Sequence, residues 1–340
     1  MTTAPTLRGP RLWLRAFVGF YPPHDPAARG LDPVARFLFS ARSVILVISA
    51  QAAVIAGLLA AAARRFDLPA FALVLVGFVT AHMISNLLND YFGYHRGDDT
   101  PDSPRMRYTM HPFAGGVLDR RTFLAGMAIL AAVGTSIVAY FWMRRGPLAL
   151  AFAAAGLLVL YLYDAAPRTL KDIGLGEIAA FTVWGPLMVG GGYVVITGQI
   201  RPEPFLVSVP YGLGVMSILM GKHIDQLDFD APHGHRTLPV ILGERLARRC
   251  NQAIVAGMYA ITALLIAAGI LTPWAALVAT AAPRGWQALR ILDRPRPSSP
   301  PPGYVGWPLW YHRVSLVHNR RFGWAYIGGL ALGTAVTLLR

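Results

Sequence analysis

Apolar residues run along this chain in blocks of about 20, separated by short segments that hold most of the charge, and a block of that length crosses a bilayer's hydrocarbon core as one helix. Such windows give nine spans, near residues 40–62, 68–92, 122–142, 147–164, 176–198, 204–222, 250–270, 271–291 and 323–339. Pro283 and Arg284 interrupt the eighth. The pattern predicts an all-α polytopic membrane protein with an amino-terminal segment, 1–37, and a single transmembrane unit, 38–340. The largest loops, 93–121, 223–249 and 292–322, fall on one side. Residues 11–20 read as a short amphipathic helix lying on the surface, 293–303 as a Pro-rich linker, and 304–313 as an aromatic anchor at the head-group level.

Composition narrows the class. The chain is 55% hydrophobic and only 14% charged, and its net charge is +14. That charge would suit a nucleic-acid binder, but nine spans place only Arg64, Arg65, Arg144, Arg145, Arg201 and Arg340 of the 31 Lys and Arg residues on one side. The bias is a topology signal, and no nucleic-acid partner is expected. It predicts a cell-membrane protein whose amino terminus and large loops are cytoplasmic and whose carboxyl terminus is outside. A basic face also attracts anionic head groups and phosphorylated ligands. Cys250 is the sole cysteine, which excludes an internal disulfide and a Cys-based zinc site. Residues 1–37 show no apolar core ending in a cleavage site, so no removable signal peptide is expected.

Acidic residues gather where spans 2 and 6 end, and carboxylates beside lipid mark ion or substrate sites. Asn86, Asn89 and Asp90 are spaced i, i+3, i+4 on one helical face. Such a face offers oxygen ligands to Mg²⁺, which shares its coordination with substrate phosphates; capping and interhelical hydrogen bonding are the plainer alternative. Asp98, Asp99 and Asp102 follow Gly97 in a loop, and Arg105 and Arg107 come next, suited to pairing with those acids or with phosphate. The second cluster is GKHIDQLDFDAPHGHRTLP, from Gly221 to Pro239. Asp225 and Asp228 share a face, while Pro232 and Gly234 suggest a helix end that lets Asp230 fold back. Lys222 and Arg236 balance phosphate charge. His223, His233 and His235 sit among carboxylates and do not make a zinc-type site. Span 4 ends in YDAAPRTLKDIGLGE, Tyr163 to Glu177, where Lys171, flanked by Arg168, is placed to grip a terminal phosphate. Three loops thus converge on one cavity mouth, and the paired acidic ends hint at an internal duplication.

Over nearly its whole length the chain resembles the UbiA superfamily of intramembrane prenyltransferases. NLLNDYFGYHRGDDTPDS is similar to the first Asp-rich motif in its menaquinone-biosynthesis form, DQLDFDAPHGHRTLPVILGE to the second, and YDAAPRTLKDIGLGE to the loop between spans 4 and 5. There are two departures. Gly93 stands where the family has an Asp three residues after Asp90, and Asp225 and Asp230 lie one residue wider apart than the commonest spacing. The resemblance implies a nine-span bundle with a cavity open to the cytoplasm and to lipid. It implies two Mg²⁺ ions, held among Asn86, Asp90, Asp98, Asp99, Asp225, Asp228 and Asp230, that bind the diphosphate of a prenyl donor. Asp90, Asp99, Asp225, Asp230 and Lys171 are then catalytic, with Asn86, Asn89, Arg105, Arg107, Tyr163, Arg168, Lys222 and Arg236 binding substrate. Tyr91, Phe92, Tyr94 and Tyr163 are candidates to shield an allylic cation. The implied reaction is prenyl transfer to an acceptor, most often an aromatic ring. The alternatives are a terpene cyclase that quenches the same cation within its own chain, and a transporter or lipid-binding protein. The last predicts acids deep within the spans, whereas these cluster at one edge beside Lys and Arg.

Overall fold

Backbone polar groups cannot go unpaired in hydrocarbon, so a spanning chain closes its hydrogen bonds within helices. The computed structural model describes residues 9–19, 30–304 and 306–339, and helices are the only regular elements among them. In chain order the α-helices are α1 (Pro10–Arg15), α2 (Pro33–Ser40), α3 (Val47–Ala62), α4 (Leu68–Arg96), α5 (Pro104–Tyr108), α6 (Arg120–Arg145) and α7 (Pro147–Leu160). They continue as α8 (Gly176–Thr182), α9 (Gly191–Thr197), α10 (Pro202–Asp230), α11 (Leu238–Leu242), α12 (Glu244–Ala267), α13 (Ala282–Leu292) and α14 (Tyr311–Leu339). π-helical turns extend α7 through Tyr161–Ala165 and join α8 to α9 through Val183–Gly190.

Eight of the nine predicted spans appear among the described residues as continuous helices long and apolar enough to cross a membrane. The eighth is helical but broken. A 3₁₀ segment, Pro273–Ala281, runs into α13, whose second residue is Pro283. The proline tolerates that position because a first-turn amide has no intrahelical partner to lose. The surface helix expected over 11–20 is α1, with Leu12 and Ala16 packed on Ala35 and Phe39 of α2. No helix forms over the Pro-rich linker. Phe20 and Val305, which belong to two of the predicted segments, and Arg340 lie outside the described residues.

Burial sorts the spans into an axis and a rim. Two-thirds (67%) of the apolar window of α10 is buried within the protein, against 6% for α6 and 11% for Pro147–Ala165. The core joins α10 to α3, α12, α14 and the 3₁₀ segment through Tyr211, Met258, Phe322 and Tyr326. Lipid gives helices no hydrophobic reason to associate, so small residues and polar ties hold such a bundle together. The Tyr211 hydroxyl donates to the Ile48 carbonyl at 2.6 Å, fastening α10 to α3. At the other end of α10, Gly221 lies against the backbone of Tyr311, and a Cβ there would stand 2.8 Å from the Tyr311 carbonyl. That contact sets the last turns of α10 beside the start of α14, next to the acidic motif.

Candidate functional site

The first motif closes α4. Gly97 adopts φ 83°, the left-handed region that glycine occupies without penalty, and the chain turns back so that the amides of Asp98 and Asp99 donate to the Gly93 carbonyl at 2.9 and 3.2 Å. The Asp99 carboxylate then rests on Gly93, where any Cβ would collide with it. The missing acid at 93 and the presence of one at 99 are therefore a single arrangement. One turn earlier Asp90 is fully buried. Arg105, carried back by α5, grips it bidentately, with Nε to Oδ1 at 2.8 Å and Nη2 to Oδ2 at 2.6 Å; Arg42 Nη2 stands 3.4 Å from Oδ1. Desolvation alone would lower the Arg105 pKa, but the Asp90 charge and its hydrogen bonds hold it above the usual range. Asn86 turns away: its amide donates to the Ala41 carbonyl at 2.9 Å and ties α4 to the segment before α3. Tyr91 stacks on Phe123 of α6, and Tyr94 packs against His111 and Phe113, so these aromatics brace α4.

The loop after span 4 contributes a second wall. The π turn brings Asp164 inward, where Ser85 Oγ and Asn89 Nδ2 donate to its two oxygens at 2.6 and 3.0 Å. Lys171 and Asp172 follow in a 3₁₀ turn. Asp172 accepts from Thr169 at 2.5 Å and meets His235 Nδ1 at 2.8 Å, while His235 Nε2 lies 3.9 Å from Asp98. All three loops are thereby clasped together, as their convergence in sequence predicts. The hydrogen bond to Asp172 is the largest influence on His235 and raises its pKa, with neighbouring carboxylate charges adding to the effect. Burial pushes the Asp172 carboxyl up, but hydrogen bonds from His235 and Thr169 and the charge of Lys171 outweigh it and hold it well below the usual range.

The end of α10 divides the second motif between two tasks. The helix ends at Asp230, as Pro232 and Gly234 suggest, but Asp230 keeps its place on the last helical turn rather than folding back. Asp225 faces α14 and accepts the Tyr311 and His312 amides at 3.0 and 2.9 Å. A carboxylate there satisfies two of the amides that every helix leaves open at its start. Asp228 is exposed and meets Arg296 at 3.4 Å. Of the three acids only Asp230 reaches the cavity, with Gln226 one turn before it.

The cavity gathers Asn89, Asp98, Asp99, Arg105, Lys171, Lys222 and Asp230 from the predicted set. Asn86, Asp90, Asp225, Asp228, Arg107, Tyr163, Arg168 and Arg236 do not line it. Arg107, Arg168 and Arg236 are exposed on the loops, and Tyr163 lies on the π turn beside Asp164. Lys171 and Lys222 form no ion pair within 4 Å among the described residues. Asp172, His223, Gln226 and His235 join the lining unforeseen. Glu177, one residue after Gly176, is buried and holds His223 Nδ1 at 2.8 Å. His111, from the irregular stretch after α5, meets Asp99 at 3.2 Å; with Asp90 and Asp99 it places three ligand-type atoms within 4.8 Å of one another. Both Asp90 oxygens are committed to Arg105, Asp98 Oδ2 accepts from Arg96 at 3.2 Å and Asp99 Oδ2 meets His111 at 3.2 Å, so on this wall the carboxylate oxygens without a hydrogen bond among the described residues are Oδ1 of Asp98 and Oδ1 of Asp99.

An all-helical membrane bundle whose polar cavity joins two acid-bearing helix ends now stands beside a sequence finding: residues 50–336 match the UbiA prenyltransferase family. The chain belongs to that family. It is 26% identical to the 1,4-dihydroxy-2-naphthoate octaprenyltransferase of Bacillus subtilis (strain 168) over 231 residues, 66% of this chain and 72% of that protein. It is 30% identical to the digeranylgeranylglyceryl phosphate synthase of Pyrococcus furiosus over 176 residues, 51% of this chain and 55% of that protein. The structure of a UbiA homolog from Aeropyrum pernix K1 shares the fold, with a TM-score of 0.60 and 18% identity over 82% of this chain and 96% of that one. The likeness of the first motif to the menaquinone-biosynthesis branch is borne out by the Bacillus relative.

Proposed function

We propose that this membrane prenyltransferase moves a prenyl group from a prenyl diphosphate to an aromatic acceptor. The observation that carries the reading is one cavity in which Lys171 and Lys222, free of ion pairs among the described residues, stand with Asp98, Asp99 and Asp230. A diphosphate requires both kinds of partner: ammonium groups to meet its charge, and carboxylates to hold the Mg²⁺ that travels with it. The residues fit that ion best on the wall of Asn89, Asp98 and Asp99. Asp230 and Gln226 supply the opposite wall, where a second ion, implied by the family pattern, has a single carboxylate to hold it. When bound, Mg²⁺ acts as a Lewis acid on the leaving diphosphate.

The reaction breaks the bond between the prenyl C1 and the diphosphate oxygen, and the electron pair leaves with the diphosphate. Lys171 and Lys222 stabilise the charge that grows there, an interaction stronger in the transition state than before it. Arg105 is held rigid by Asp90 and presents a fixed positive edge to the same cavity. The allylic carbon then bonds to a ring carbon of the acceptor, and the proton lost from that carbon passes to the released diphosphate. The cavity is about 70 Å³, room for about two waters at roughly 30 Å³ each.

The aromatic acceptor is supported by the name of the Bacillus relative. The test is mass spectrometry of lipid extracts after incubating the purified full chain with Mg²⁺, geranylgeranyl diphosphate and a panel that includes 1,4-dihydroxy-2-naphthoate. A product in which the prenyl group replaces a ring hydrogen, or the ring carboxyl with release of CO₂, supports the reading. A cyclic hydrocarbon or alcohol formed without acceptor would replace it with a terpene cyclase, and a prenylated glycerol phosphate would move the acceptor class.

A further inference from the structure

A second cavity lies apart from the acidic one. It is a groove of about 500 Å³ between α13 and the Pro-rich linker, lined by Trp286, Arg290, Arg294, Pro297 and Trp310. Trp286, Arg290 and Arg294 follow at intervals of four, so they form one stripe along the helix and its first turn beyond. The opposite face, Gly285, Ala288 and Leu292, is buried against the bundle. All three stripe residues are exposed, Trp286 at 64%.

Direction along the stripe gives it meaning. α13 enters from the 3₁₀ segment within the bundle and leaves into residues 293–304, which dock beside the end of α10: Arg296 donates to the Asp225 carbonyl at 2.6 Å, and the Tyr311 hydroxyl donates to the Arg294 carbonyl at 2.7 Å. Arg294 is therefore at the membrane edge that carries the acidic motifs, Arg290 one turn deeper and Trp286 two turns deeper. Neither guanidinium has a carboxylate partner among the described residues, and neighbouring Asp293 is already taken by Arg249 at 3.0 Å. Charges that merely set topology need no groove and no tryptophan behind them. An indole below two unpaired guanidiniums at the head-group level matches the order of a phospholipid, with acyl chain deeper and phosphate above.

We propose that this groove binds the head group of an anionic glycerophospholipid, its phosphate on Arg290 and Arg294 and its chain along Trp286. A guanidinium fork suits phosphate oxygens, and two basic residues near an anionic surface together confer roughly a thirtyfold preference. The proposal does not depend on the catalytic reading.

The full chain, equilibrated with equimolar phosphatidylglycerol and phosphatidylcholine, would be analysed by native mass spectrometry. Wild-type protein should retain phosphatidylglycerol over phosphatidylcholine by about thirtyfold at its tightest site. R290Q/R294Q should bring the ratio near one without changing the thermal midpoint in phosphatidylcholine, since both side chains are exposed and unpaired, while R290K/R294K should keep most of the preference. Equal retention of the two lipids by the wild type would overturn the proposal, as would an undiminished preference in R290Q/R294Q. Displacement of the lipid by millimolar inorganic phosphate would also overturn it, because a free-anion site would then explain the arginines.

Discussion

Asp225 separates the two accounts of the second motif. The sequence makes it a metal ligand equal to Asp230, whereas the structure gives both its oxygens to the first amides of α14, at 3.0 and 2.9 Å. A hydrogen bond to a charged group contributes about 1.5–3 kcal/mol net, and loss of a helix cap costs about 0.5–2 kcal/mol. Asp225→Ala removes two such bonds at a buried site, so about 3 kcal/mol of stability should go. At about 2–4 °C per kcal/mol, with the lower figure for larger chains, the thermal midpoint falls by about 6–12 °C. Asp225→Asn retains one accepting oxygen and should lose roughly half of that. At a temperature where both remain folded, kcat should stay within about threefold of wild type, because nothing has changed in the cavity. Asp230→Asn should do the opposite, with a midpoint near wild type and kcat down by about 10²–10³, the scale for removing one preorganised electrostatic group. The assay pairs thermal unfolding in detergent with steady-state diphosphate release. An Asp225→Asn protein of full stability but with turnover as low as Asp230→Asn would refute the capping argument.

Other outcomes follow from the same contacts. Lys171→Ala and Lys222→Ala should each lower kcat by about 10²–10³ with an unchanged unfolding midpoint, and unchanged single-turnover rates would remove that lysine from the leaving-group role. Arg105→Ala leaves the buried Asp90 with Arg42 alone at 3.4 Å, which should destabilise by about 3 kcal/mol; D90N/R105Q should recover part of that loss in denaturant titrations, and simple additivity would contradict a coupled pair. Gly93→Ala pushes Asp99 off its seat, so Mn²⁺ measured by electron paramagnetic resonance should bind about tenfold more weakly, and wild-type affinity would mean that Asp99 holds no ion. The clasp also gives a pH dependence. His235 has its pKa raised above the ordinary 6.5, so its contribution is complete below 6.5 and is lost as pH rises through the folded value. Asp172 has its pKa lowered from 3.8, so its contribution is present above 3.8 and is lost only as pH falls through the folded value. Thermal midpoints should therefore drop between pH 6 and 9 more steeply in wild type than in His235→Asn, and parallel curves would exclude the clasp.

How far the sequence reveals this site depends on whether a helix carries the residue. The spans follow from block length, and the convergence of three loops from the side on which each span ends. The split of the second motif was also legible. Successive residues turn about 100° around a helix, so Asp225 and Asp230, five apart, diverge by about 140°, while Gln226 and Asp230 differ by about 40°. Pro232 and Gly234 correctly mark the helix end at Asp230, but expecting Asp230 to fold back there suspends that geometry. Asp230 is the last residue of α10, so the angular rule still holds for it. The one-residue widening of the motif is thus what turns Asp225 out of the cavity and onto α14.

Arg42 and His111 carry no comparable signal. Arg42 sits in a left-handed turn, φ 54°, before α3, a conformation uncommon for a residue with a Cβ. What compensates is tertiary: its guanidinium donates to the Asn86 carbonyl at 2.9 Å and approaches Asp90. His111 reaches Asp99 from an irregular stretch with no periodicity to read. Both act on the first motif from outside it, and together they determine what its acids can do. Because Arg42 and Arg105 occupy Asp90, that acid anchors cationic side chains, and on our proposal an ion would fall to Asp98 and Asp99, the latter seated where Gly93 leaves room. The glycine that looks like a defect in the motif is, in the folded chain, the space that this rearranged site requires.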